Sequence, residues 1–262
     1  VSPSLHRKRK ESSVDASVSK ETKREQLYGH YWKNDLNPVF TDVATYYDNA
    51  NQVASLGLWN WFLRHHMDLV ETKPNMRSLD ICAGTNAVGI ALLKKEPTLE
   101  VYAIDRNVAM QTVGRQRARD RGMHIRASIG DVHKLPYPDN HFDIVTLQWA
   151  ARHLQLDRVF DEVRRVLKPG GHFHHCDMLR PPNPTVAKMY FGYLRFCLNF
   201  TAGIFRSKEP ALNCRKYFVD VLDNFYSPQE FSDLLRAHGM VNVVHKSLLA
   251  GMIGVHRAQK PV

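Results

Sequence analysis

The four cysteines of this 262-residue chain, Cys82, Cys176, Cys197 and Cys214, form no C-x-x-C pair. Their spacing argues against a disulfide framework or a zinc site, and no metal is expected. No apolar run is uniform enough to span a bilayer. The nearest, Pro184 to Phe205, is aromatic-rich but interrupted by Lys188, Arg195 and two glycines, so it reads as an amphipathic helix. Internal repeats are absent, and so is the full G-x-G-x-x-G turn of dinucleotide oxidoreductases. Residues 1–25 are polar and charged with no apolar stretch, which predicts a disordered basic tail and no secretory leader.

Charge of one sign is in excess: 36 Lys and Arg against 26 Asp and Glu, a formal net charge of +10. Much of the excess sits at residues 6–10 and in the run Arg115, Arg117, Arg119, Arg121. The second cluster reads as the solvent face of a helix. No recognisable RNA-binding module or N-P-P-Y motif accompanies the charge, so no nucleic-acid partner is expected. A basic surface does suit contact with an anionic membrane.

From Ser78 onward, apolar strands alternate with helical patterns. Strands are predicted at 78–83, 101–104, 125–129, 142–148, 172–178, 241–248 and 252–256, and helices at 87–95, 106–121, 156–167 and 228–238. Continuous apolar strands joined by helical crossovers predict an α/β fold, a doubly wound, mostly parallel seven-stranded sheet with helices on both faces. The last two strands predict an antiparallel hairpin at its edge. Residues 76–258 form the main domain, with a helical cover at about 184–226, and 26–75 form an N-terminal helical arm or lid. Within the arm, 28–40 reads as an irregular arm or short helix. Asp42 begins a helix with Val43, Ala44, Tyr47 and Ala50 on one face, 51–57 is a break, and 58–70 is a second helix.

In such a sheet, ligands lie beyond the carboxyl ends of the strands. Four ends carry informative residues. SLDICAGTNAVG, residues 78–89, reads as strand, tight turn and helix, and its small residues let a ligand approach the backbone. The second end is Asp105, followed by Arg106; an acid there can accept hydrogen bonds from both hydroxyls of a ribose, or simply cap a helix. The third is Gly130-Asp131-Val132, where a carboxylate beside an apolar residue suits an adenine, or is a solvated turn. The fourth is Gln148-Trp149-Ala150-Ala151-Arg152-His153.

The order D-x-x-x-G-T, A-I-D, G-D-V-x-x-L-P-Y-P-D-N-x-F-D and V-L-K-P-G-G resembles that of class I S-adenosylmethionine-dependent methyltransferases. LPYPDNHFDIVTLQWAARHL and DEVRRVLKPGGHF resemble the UbiE/MenG/Coq5 family of quinone-ring C-methyltransferases more closely. VATYYDNANQVASLGLWNW and the stretch from KYFVDVLDNFYSPQEFSDLLRAHGM to LLAGMIGVHR resemble its two ends. The resemblance runs from about Thr41 to Arg257.

The resemblance implies a Rossmann-like methyltransferase with S-adenosylmethionine as cofactor and S-adenosylhomocysteine as product. Asp80, Ala83, Gly84, Thr85, Asp105, Arg106, Gly130, Asp131, Val132 and Gln148 become cofactor contacts. Arg152, His153 and Tyr47 become the catalytic set. The implied acceptor is a polyprenylated quinol precursor of menaquinone or ubiquinone. Arg152 is expected to stabilise a ring phenolate and His153 to take the hydroxyl proton, while a structural ion pair and a buried hydrogen-bonded imidazole are their plainer readings. Tyr47 orients the substrate, closes over the cofactor or is simply core. The helical cover is expected to shield the polyprenyl tail, or to serve core or dimer packing. The expected location is cytoplasmic, peripheral at the inner face of a membrane, or the mitochondrial matrix in a eukaryote; a homodimer or a biosynthetic complex is left open. Four departures from the family stand out: Ala83 and Asn86 replace glycines of the turn, Gln148 a smaller residue and His153 an asparagine. Alternatives are a methyltransferase of another small or lipid acceptor and a non-catalytic scaffold subunit that keeps the fold.

Overall fold

The structure is a computed structural model that describes residues 20–262. Its centre is a seven-stranded sheet in the order β3-β2-β1-β4-β5-β7-β6. The strands are β1 (Arg77–Ile81), β2 (Glu100–Asp105), β3 (Arg126–Ile129), β4 (Phe142–Gln148), β5 (Leu167–Met178), β6 (Val241–Leu248) and β7 (Ile253–Gln259). The first five run parallel; β7 inserts antiparallel beside β5 and pairs antiparallel with β6. The expected sheet and its hairpin are therefore present, with the last strand inside the edge rather than on it.

Strand alternation divides the core. Leu79, Ile81, Val145 and Leu147 point to one face and pack with Phe160, Phe231 and Leu235 from α7 (Leu156–Val166) and α11 (Pro228–Ala237). Val101 and Ile144 point to the other and meet Met67, Val88 and Leu92 from α4 (Trp59–Asp68) and α5 (Ala87–Lys95). Both faces are covered, as continuous apolar strands require. The V-L-K-P-G-G segment ends α7 at Val166, as expected, and the rest of it already belongs to β5, which pairs with β4 through a bulge: Phe142 pairs with Leu167 and Ile144 with His172. Gly170, at φ +77°, supplies the left-handed step there.

The amino-terminal segment departs most from expectation. Residues 1–19 of the expected tail lie outside the described residues. Residues 20–25 belong to a helix, α1 (20–30), rather than to a disordered tail. The reason is pairing: Glu21 and Arg24 are buried and bonded to each other. Glu21 also accepts from the Leu156 N–H at 2.9 Å, at the start of α7, where a carboxylate is favoured. Arg24 donates to the Arg152 carbonyl at 2.9 Å and lies 4.7 Å from the Phe225 ring centre. A π-helical turn (Tyr31–Asp35), α2 (Leu36–Val43) and α3 (Tyr47–Ala54) follow. The helix expected from Asp42 is thus two helices, broken at residues 44–46, and the expected break at 51–57 begins only after Ala54.

A second apolar cluster lies beyond the carboxyl ends of the strands. Tyr28, Trp32 and Leu36 pack there against Tyr190 and Phe191 of α8 (Pro184–Ile204) and Tyr217, Val221 and Leu222 of α10 (Arg215–Asp223), with α9 (Glu209–Asn213) between them in the chain. It roofs the end of the sheet where the four informative loops emerge. Among the described residues no helix is long and apolar enough to cross a membrane.

Candidate active site

The β1–α5 turn is built from left-handed residues. Cys82, Gly84 and Asn86 have φ of 53°, 51° and 57°, so the chain doubles back before α5 begins. Asn86 occupies an αL position that asparagine tolerates better than most side chains. Its amide is fully buried and its Oδ1 accepts from Gln111 Nε2 at 3.0 Å. Gly114 of α6 (Val108–Arg119) makes the room: a Cβ there would lie 2.8 Å from Asn86 Cγ. The departure at Asn86 is thus absorbed by a glycine 28 positions later (114 − 86).

Asp105 closes the turn. Its two oxygens accept from the Gly84 N–H and the Asn107 N–H, each at 2.8 Å. Burial nevertheless holds its carboxyl above the usual range, against the pull of those bonds. Asp80, on the strand below, accepts from Thr146 Oγ1 at 2.8 Å through Oδ1. Its other oxygen is buried with no partner in good hydrogen-bond geometry, the Gly89 N–H in the first turn of α5 being the backbone group that bears on the carboxylate. Burial, with the nearby Asp105 charge adding to it, raises the Asp80 carboxyl to about 7. Thr85 donates to Asp48 Oδ1 at 3.2 Å, and Arg117 holds the other Asp48 oxygen, so α3 is latched onto the turn. Arg117, expected on a solvent face, is therefore only half exposed and engaged.

The turn and the strand ends beside it border a cavity of about 270 Å³. Asp80, Ala83, Gly84, Thr85, Asp105, Arg106, Gly130, Asp131, Val132, Gln148, Tyr47 and His153 all contribute to its wall. Asp131 stands at the rim, largely exposed, with Oδ1 tied to the His133 N–H and ring. Val132 beside it is buried, and a Cβ at Gly130 would strike Ile104 Cδ1 at 2.8 Å. Gln148 is held by His66 Nδ1 at 2.9 Å. Burial lowers the His66 imidazole to about 4 and keeps it neutral.

Arg152 is not among the lining residues. Its guanidinium pairs with the fully buried Asp177 and donates to the Trp149 carbonyl at 3.0 Å. A carboxylate in the core demands a counter-charge, which is why the arginine turns inward rather than toward the cavity. His153 does line it. Its Nδ1 lies 2.7 Å from Tyr217 Oη, and its Nε2 is buried without a partner. Burial first, and then the cations Arg152, Arg24 and Arg106, keep its imidazole well below the usual value. Tyr47 sits between Phe40 and Trp59 at ring distances of 6.3 and 6.1 Å. Burial raises its phenol.

The sequence reading missed the aromatic part of the wall. Trp32, Leu36, Phe40, Trp59 and Trp149 complete it. Trp149 adopts φ +60°, a strained conformation for a bulky side chain, and so stacks on Trp59 at 4.8 Å and 19°. The concentration of Trp59 and Trp61 in WNW beside the Y-D-x-x-N motif was the available signal. Nothing local marks Trp32 or Phe40, because their roles come from packing across the chain.

This strand order, with ligand-facing loops after β1, β2, β3 and β4, defines a class I methyltransferase architecture. The chain belongs to the ubiE/COQ5 methyltransferase family, whose sequence model matches residues 29–260. It is 31% identical over 227 residues to the Ubiquinone/menaquinone biosynthesis C-methyltransferase UbiE of Ectopseudomonas mendocina, covering 85% of this chain and 88% of that one. It is 29% identical over 229 residues to a Demethylmenaquinone methyltransferase of Anoxybacillus flavithermus, covering 86% and 95%. The fold matches the crystal structure of a SAM dependent methyltransferase from Aquifex aeolicus with a TM-score of 0.53 at 17% identity, covering 76% of this chain and 89% of that one.

The wall fits S-adenosylmethionine. The unpaired Asp80 oxygen is an acceptor awaiting a cation, as an α-ammonium would provide. Asp105 retains lone pairs for a ribose diol, and Val132 offers an apolar side to an adenine. Gly84, at φ +51°, lets the turn bend without a side chain.

Proposed function

We propose that the chain transfers a methyl group from S-adenosylmethionine to a ring carbon of a polyprenylated quinol. The observation that carries this reading is the union of two unlike halves in one cavity: a polar half at the strand ends and an aromatic half of Trp32, Phe40, Tyr47, Trp59 and Trp149. A flat apolar ring has a natural seat there, and the family membership and the named relatives support a quinol as that ring. The cofactor supplies an electrophilic methyl on a sulfonium. The ring carbon attacks it; a carbon–carbon bond forms, the methyl–sulfur bond breaks, and one proton is released to solvent per turnover.

On this reading the chain's residues mainly bind, orient and exclude water. Asp80, Gly84, Thr85, Asp105, Arg106, Asp131, Val132 and Gln148 hold the donor. Tyr47, carried by the same helix as Asp48, orders the acceptor seat together with the cofactor turn. Arg152 serves as a scaffold cation that fixes the loop after β4 through Asp177.

The tail of the acceptor requires a lipid source. On α8, Met189, Phe196, Phe200 and Ile204 are exposed along one face, with Leu56 of the α3–α4 connection also exposed. Residues 184–208 contain four cations, Lys188, Arg195, Arg206 and Lys208, and no acid. A second copy would set this basic rim against its own like charge, whereas an anionic bilayer complements both its charge and its apolar stripe. We assign this face to peripheral contact with such a bilayer.

The test is mass spectrometry of quinones from cells lacking the protein, with purified protein, S-adenosylmethionine and a demethylquinol supplied in parallel. Accumulation of a demethylated quinone and ring-carbon methylation in vitro are expected. Methylation on oxygen, or none on any demethylquinol, overturns the reading. Flotation with vesicles containing phosphatidylglycerol checks the docking face: F196S/F200S should lose vesicle binding with its stability unchanged.

A further inference from the structure

His153 lines the cavity, and the structure specifies its hydrogen-bonding partners on one side only. Trp32, on the π-helical turn, has an indole N–H that can only donate. It donates to Tyr217 Oη at 3.0 Å. Tyr217 is 2% exposed, so its own hydroxyl hydrogen also needs an acceptor. The one acceptor paired with it is His153 Nδ1, at 2.7 Å. If Nδ1 carried the hydrogen instead, Tyr217 Oη would receive two donors and its own hydrogen would be stranded in the core without an acceptor.

We infer that the Trp32–Tyr217 relay locks His153 in its Nε2–H tautomer, making His153 a hydrogen-bond donor to the acceptor's ring oxygen rather than the base that deprotonates it. The inference rests on the proposed reaction for its chemistry, although not for the tautomer itself. Three observations agree. The ring of His153 lines the cavity. Its Nε2 is a buried polar atom with no protein partner, as a group reserved for a ligand would be. The charged side chains around it, Arg152, Arg24 and Arg106, are all cations that oppose a second proton on the ring.

The physical advantage is preorganisation. As the ring carbon attacks, charge develops on the neighbouring ring oxygen, and a fixed N–H donor in a dry site stabilises it without rearranging. An asparagine amide offers the same donor and no base. Tyr217, which does not line the cavity, is a positioning residue in this arrangement, and Trp32 both lines the acceptor seat and, through its indole N–H, helps set which nitrogen carries the hydrogen.

Two measurements test the inference. Long-range proton–nitrogen correlation spectra of the histidine-labelled protein, assigned by loss of the signal in His153→Asn, should show Nε2 protonated and Nδ1 bare near neutral pH. Tyr217→Phe should move that signal toward a mixture of tautomers. A protonated Nδ1 or an imidazolium in the wild type overturns the inference, whatever the substrate proves to be. In turnover with a demethylquinol, His153→Ala should lower kcat about 100-fold, the size seen on removing one oxyanion donor. His153→Asn should remain within about tenfold of wild type, and Tyr217→Phe should lose about fivefold in kcat with KM little changed, a single neutral hydrogen bond's worth. If His153→Asn is as inactive as His153→Ala, and wild-type kcat rises with pH through one ionisation that both variants lack, His153 is the base. Absence of turnover in the wild type would reject the proposed reaction and leave the spectra to decide the tautomer.

Discussion

The two halves of the cavity are held by different means. The cofactor half hangs on strand ends and is fixed by bonds to the backbone of the turns: the Asp105 carboxylate accepts from the Gly84 and Asn107 N–H groups, and the Asn86 N–H donates to the Ala83 carbonyl at 2.8 Å. The aromatic half comes from the amino-terminal helical segment, residues 32–59, and from Trp149 after β4, and side-chain contacts to segments far away in sequence hold it: Trp32 to Tyr217, Arg24 to the Arg152 carbonyl, Arg152 to Asp177. Damage to the first should therefore appear as lost ligand affinity in a stable fold. Damage to the second should appear first as lost stability.

The sharpest way to break that comparison is Arg152. Arg152→Ala leaves Asp177 charged and unpaired in the core, and should cost about 3–5 kcal/mol of stability in urea unfolding. The double variant Arg152→Met/Asp177→Leu should recover most of it, because no charge is then stranded. A stable Arg152→Ala protein that has lost turnover alone would return the arginine to the substrate side. Next in size is Asp105→Ala, which removes the acceptor for two backbone N–H groups and, on the proposed reading, the ribose ligand together. Two charge-assisted bonds at about 1.5 kcal/mol each predict weakening of S-adenosylmethionine binding by about 100-fold, read by calorimetry. Unfolding should change much less than in the Arg152 variant.

Gly114→Ala tests the seam between turn and helix. The new Cβ would meet Asn86 Cγ at 2.8 Å and the Thr85 carbonyl carbon at 2.9 Å. Overpacking of this kind costs about 1–3 kcal/mol. Adding Asn86→Gly should relieve the side-chain clash and restore part of the melting temperature. No rescue would mean that the Thr85 backbone alone sets the limit.

The same division explains what the sequence made legible. Helix α5 at Ala87–Lys95 and strand β4 at Phe142–Gln148 fall where their periodicity places them, because period and turn residues are local signals. Asp105, Gly84 and Val132 were readable for the same reason: their spacing along a βα unit fixes where they emerge. Residues 20–25 were misread because a charged run resembles a solvated tail until its partners are known, and those of Glu21 and Arg24 lie at residues 152, 156 and 226. Arg152 and His153 were both expected to face the acceptor; His153 lines the cavity, whereas Arg152 turns to the buried Asp177, a partner 25 residues on that no local signal reveals. Trp149 owes its place to a positive φ that no propensity predicts for tryptophan.

The smallest effect concerns a proton. In the free protein, burial raises the Asp80 carboxyl to about 7, above its unfolded value near 3.8. The fold therefore holds a proton there that the unfolded chain gives up. The penalty this carboxylate imposes on stability is absent below pH about 4, is greatest above pH 7, and shrinks as pH falls between them. An ammonium beside its unpaired oxygen favours the ionised form and pulls the pKa down. Binding of S-adenosylmethionine should then release up to one proton near pH 6, and affinity should fall as pH drops below 7, by at most about tenfold per unit. Calorimetry in two buffers of different ionisation enthalpy measures the proton directly. Asp80→Asn should bind more weakly, release none and flatten the profile. The cofactor half would then answer to pH through the Asp80 carboxyl, whereas burial and the neighbouring cations oppose protonation of His153 on the other side of the cavity. A proton release that survives in Asp80→Asn would mean that the ammonium sits elsewhere, and that the orphaned oxygen belongs to the packing of the strand and not to the site.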